Sequence, residues 1–115
     1  MASLGTPFAS GSANGLTVNL YDAEGGLSLS ESEVLVEFRD NASGAPADVG
    51  TVRFALDMNM PGMAMHSGST IWPAGEIGRY RARIKPEMGG DWTAQLQYAG
   101  PRGSGAVSFT VNVRP

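Results

Sequence analysis

The chain has 115 residues, 42% of them hydrophobic and 17% charged, with a formal net charge of -3. That size and balance fit one globular domain with one core, and the acidic charge excludes the electrostatic footprint that nucleic acid requires. Zero cysteines excludes disulfides, thiolate zinc sites, cysteine nucleophiles and the blue-copper centre. No apolar run approaches the roughly 20 residues that span a bilayer.

Taken in chain order, residues 1–13 are small and polar and read as a flexible N-terminal arm or a weak edge strand, leaving a single domain over 14–115. The first strand is expected over 16–21, where Leu16, Val18 and Leu20 share one face, and Gly25-Gly26 then turns the chain. A second strand over 34–39 alternates Val34, Val36 and Phe38 against charged neighbours, and a third over 51–56 does the same with Val52, Phe54 and Leu56.

After the third strand the period-2 pattern thins. A short strand is expected over 69–72, then full strands over 79–84, 92–98 and 106–113. The 16 glycines and seven prolines punctuate these runs, and no 3.6-residue periodicity competes with them. The expected fold is all-β, an immunoglobulin-like antiparallel β-sandwich of about seven strands, with a small closed barrel as the competing architecture.

Between the third strand and the short one lies the segment Met58-Asn59-Met60-Pro61-Gly62-Met63-Ala64-Met65-His66, which puts four of the six methionines and the only histidine into nine residues. Thioether sulfur is polarizable, uncharged and not titratable, so it suits Cu(I) far better than Mg²⁺ or Ca²⁺. Pro61 presets φ for the second position of a turn and Gly62 accepts the positive φ of a type II third position. If the arms continue as a hairpin, Met60 faces Met63 and Met58 faces Met65, with all four thioethers on one face.

The same register sets His66 opposite Asp57 on the other face. Either the second arm breaks its alternation near Ala64, or His66 does not bind the metal and sulfur holds it alone. A type II turn fits hairpin twist poorly compared with the primed types, which favours a looser loop that brings His66 in. Met88, in Glu87-Met88-Gly89-Gly90-Asp91-Trp92, lies in a loop that a sandwich could gather at the same pole.

Met60-Pro61-Gly62-Met63-Ala64-Met65-His66, Gly78-Arg79-Tyr80 and Met88-Gly89-Gly90-Asp91-Trp92 together resemble the YtkA-like domain family, related to FixH-type proteins. The resemblance implies an immunoglobulin-like sandwich, an exported or membrane-anchored context and bacterial copper handling, at times as a module attached to efflux adaptors. On matching positions it implies Met60, Met63, Met65, His66 and Met88 as the ligand pool, with Met58 outside the pattern.

Around that segment, Asp57 and Glu87 could orient His66 or add negative charge near a cation. Trp72, Trp92 and Tyr80 read as packing residues, and Arg79, Arg81 and Arg83 as a solvated strand face. No enzyme is expected, because one histidine cannot serve both a multi-histidine metal centre and an independent base, and no Gly-x-Ser-x-Gly elbow occurs.

The expected function is therefore a copper-binding protein of the bacterial periplasm or cell envelope. It would hold Cu(I), and by the same chemistry Ag(I), for exchange with a copper-donor or copper-acceptor protein or an efflux system. The rival is an interaction module whose methionine loop contacts a partner without metal.

Overall fold

Each long run is apolar at every second residue, and hiding those rows from water requires one sheet packed face to face on another. The computed structural model describes residues 7–22, 27–29 and 31–114, with the side chains of Ser28, Asn59, Met60 and Met63 outside that description. Nine strands form: β1 (Ala9–Ala13), β2 (Leu16–Tyr21), β3 (Leu27–Ser28), β4 (Ser32–Asp40), β5 (Thr51–Met60), β6 (Met63–Pro73), β7 (Arg79–Ile84), β8 (Gly90–Gly100) and β9 (Gly103–Arg114). Among the described residues there is no helix.

The hydrogen-bonded order is β1-β2-β4-β7-β6-β5-β8-β9-β3, and every pairing is antiparallel except that of the two-residue β3 beside β9. One strand serves both layers. Residues 63–68 of β6 pair with β5 in the second sheet, whereas Ser69 to Pro73 pair with β7 in the first. The strand changes sheets at Gly68-Ser69, and there the Ser69 hydroxyl donates to the Phe54 carbonyl at 2.6 Å. Corners of this kind let a sandwich turn without leaving an edge.

β1, at one end of the strand order, approaches β9, the neighbour of β3 at the other end. Among the described residues no backbone ladder joins β1 to β9, although the Asn14 amide reaches the Ala106 carbonyl at 3.3 Å. A Cβ at Gly11 would stand 2.5 Å from the Phe109 ring, so only glycine allows β1 to lie there. The result is an all-β, nearly closed sandwich.

The inward rows make the core. Val18, Leu20, Val36, Phe38, Leu56, Ala82, Ala94, Leu96 and Val107 are fully buried. Phe38 stands edge-on to Tyr80 and Tyr98, at ring separations of 5.9 and 6.1 Å, which ties the sheets through aromatic contacts. The Tyr80 hydroxyl donates to the Gly50 carbonyl at 2.5 Å, giving its polar end a partner.

Two strand assignments differ from the sequence expectation, and a third settles between its two alternatives. Part of the segment over 1–13 is the edge strand β1, while residues 1–6 lie outside the described ones. Leu27–Ser28 is a strand too short to show a period. The expected short strand over 69–72 is the distal part of the 11-residue β6, which begins inside the methionine segment.

On the outer face of the first sheet, Glu37 is fully buried between Asn19 of β2 and Arg79 of β7. Arg39 donates to both carboxylate oxygens at 2.9 and 3.1 Å, Arg79 to Oε2 at 3.2 Å, and Tyr21 to Oε1 at 3.1 Å. Burial pushes the Glu37 carboxyl up, but the hydrogen bonds from Arg39, Asn19 and Tyr21 and the Arg39 charge outweigh it and hold it below the usual carboxylate value. Arg79 is thus a structural partner rather than a solvated charge.

Candidate metal site at the methionine hairpin

The local sequence builds a tight reversal. Pro61 and Gly62 form a two-residue connection between the paired positions Met60 and Met63, and Gly62 has φ 75°. With proline fixing φ near -65° before it, this is the type II arrangement.

The ladder beyond the turn is regular. Asn59 pairs with Ala64, Met58 with Met65, Asp57 with His66 and Leu56 with Ser67. The loosened loop expected near Ala64 does not occur. β5 is held on its other side by β8 as far as the Asp57–Thr93 pair, and Leu56, Met58 and Ser67 are buried. A break in alternation would turn these residues outward, so packing outweighs the poor twist match of the turn.

His66 therefore lies on the outward face, away from Met65. Its Nδ1 is 2.5 Å from Asp57 Oδ1, and the ring is largely exposed. Asp57 is thus the side-chain partner of the His66 ring. Glu87 is exposed and makes no side-chain hydrogen bond among the described residues.

On the inward face, Met58 is buried at 7% exposure and Met65 is half-buried against the core. The loop between β7 and β8 closes over this end. A Cβ at Gly90 would lie 3.5 Å from the Met58 methyl, and the buried Trp92 indole donates to the Met88 carbonyl at 3.0 Å. Met88 itself is 37% exposed.

One pole of the sandwich thus gathers Met58, Met65, the backbone positions of Met60 and Met63, and the segment carrying Met88. The side chains of Met60 and Met63 lie outside the described ones. Met58 was omitted from the ligand pool, although the alternation that pairs it with Met65 was readable. Trp72 is half-buried beneath Arg83, whose guanidinium carbon is 5.7 Å from the ring centre.

Among the described residues no group of three or more histidine, aspartate or glutamate side chains is arranged to hold a metal. The described methionine side chains that this pole brings together are those of Met58 and Met65, with the Met88 segment beside them. Searches of curated proteins and of solved structures return no match. A family model described as YtkA-like matches residues 11–97.

Proposed function

The chain belongs to the YtkA-like family, and on that premise we propose that it is a copper-carrying protein of the bacterial periplasm or cell envelope, taking Cu(I) through methionine sulfur. The observation that carries this reading is the regular hairpin register, with Met58 opposite Met65 and Met60 opposite Met63 beside the Met88 loop. The cargo is assigned to Met60, Met63, Met65 and Met88. Met58 forms the buried wall behind them. His66, placed in the ligand pool by the sequence, stands outside the sulfur set because its ring is engaged with Asp57 on the opposite face.

Neutral thioethers bind without releasing protons, so affinity at a sulfur site varies little with pH. The same weak, neutral ligands at an exposed tip suit exchange with a copper-donor or copper-acceptor protein. Ag(I) shares this softness and is expected to compete. Cu(II) prefers imidazole and oxygen donors in tetragonal geometry, and among the described residues no such group of three or more histidine or carboxylate side chains occurs.

Anaerobic titration with Cu(I) against a competing chelator tests the reading. Binding tighter than about 1 μM is expected, weakened by Met60→Leu and Met63→Leu and unaffected by His66→Ala. Absence of such binding in the folded protein would leave the methionine tip as a metal-free contact surface. A loss with His66→Ala would return the imidazole to the ligand set.

A further inference from the structure

The face of the second sheet opposite the methionines carries a groove of about 430 Å³ where β6 leaves β5 to join the first sheet. Its floor is made of small residues, Ala55 paired with Gly68, and a Cβ at Gly68 would meet nothing within 4 Å. One end holds Arg53 beside its cross-strand neighbour Gln97, with Gln95 next along β8. The other end is the Asp57–His66 pair, four residues along β5 from Arg53 and so roughly 13 Å away.

The guanidinium at the first end is exposed and, like that of Arg81 on the other sheet, faces no carboxylate among the described residues. Arg39, Arg79, Arg83 and Arg102 each face a carboxylate. Arg53 has neither an ion pair nor a hydrogen bond among the described residues, and the same holds for the Gln95 and Gln97 amides. Asp57, the acid lining this groove, is already engaged by His66 Nδ1. A forked guanidinium flanked by two amides in a concavity is matched by a carboxylate next to a peptide group.

We propose that this groove binds a small carboxylate ligand of amino-acid to dipeptide size. Arg53 takes the carboxylate, Gln95 and Gln97 take the adjoining amide, and Gly68 leaves room for the backbone. The groove lies on the face away from Met58 and Met65, so the assignment stands whether or not the chain carries copper.

The test is an amide-shift titration of ¹⁵N-labelled protein with N-acetylglycine, using N-acetylglycinamide as the uncharged control. Saturable shifts at Arg53, Gln95, Gln97 and Gly68 are expected for the acid alone, with a Kd on the order of 1 mM. Arg53→Gln weakens binding at least about tenfold. Gly68→Val fills the groove and abolishes saturation. Shifts that fail to saturate by roughly 50 mM, an equal response to the amide control, or unchanged affinity in Arg53→Gln would overturn the assignment.

Discussion

Replacing Met58 separates the packing that this methionine provides from the metal binding proposed for its neighbours. Its side chain is 7% exposed, opposite Met65 in the ladder and with its methyl against Gly90. Truncation of a buried methionine costs about 2–5 kcal/mol, and the nearby tip and Gly90 offer room for partial collapse, which sets the value for Met58→Ala at about 2–3 kcal/mol. For a domain of this length that lowers Tm by roughly 10 °C. Met58→Leu keeps volume and apolarity and is expected to cost less than about 1.5 kcal/mol. Urea unfolding gives the stabilities, and the Cu(I) competition assay run on Met58→Leu gives the affinity. If Met58 is wall rather than ligand, the leucine variant keeps its Cu(I) affinity within about threefold, a change of less than about 0.7 kcal/mol. A loss below about 0.5 kcal/mol in Met58→Ala would refute the packing argument. A tenfold fall in Cu(I) affinity in Met58→Leu would refute the division of labour.

Two further outcomes follow from features away from the hairpin. Glu37 has a folded pKa below the unfolded carboxylate value of about 4.3, so its contribution is complete above that value and is lost as pH falls through the folded one. Glu37→Gln is expected to cost about 3 kcal/mol at neutral pH and to flatten the acid limb of a stability-against-pH profile, measured by urea unfolding between pH 3 and 7. Gly11→Val drives a side chain into the Phe109 ring and is expected to cost about 1–3 kcal/mol, with Phe109→Ala partly relieving the clash in a double-mutant cycle.

Much of this fold is legible in alternation alone, because a strand with one buried face must write its burial at every second residue. Val34, Val36 and Phe38 do so, as do Trp92, Ala94, Leu96 and Tyr98, and all are buried. The hairpin register could be read from Pro61-Gly62 and its flanking methionines. The regularity of its arms could not, because what prevents loosening is β8 clamped along β5, a contact between residues more than thirty positions apart. β1 was legible only as one of two alternatives, for a similar reason. Its sequence, Ala-Ser-Gly-Ser-Ala, offers only the small inward row Ala9, Gly11 and Ala13, and its position depends on the lateral ladder to β2 and the fit of Gly11 against Phe109. β6 escaped recognition as one strand because Gly68 and Ser69 mark a change of sheet, where inward and outward cease to mean the same thing on either side.

Such a strand couples the two layers covalently. Sliding one sheet over the other would have to shear the backbone at Gly68-Ser69, so relative motion of the layers is restricted to bending about that corner. The methionine tip is the free end of this crossbeam, and its foundation is shared by both walls of the molecule. The backbone of the tip shares that foundation, while Pro61 and Gly62 remain open to solution. On the proposed copper-carrying role, an ion would then be passed between proteins without either layer having to come apart.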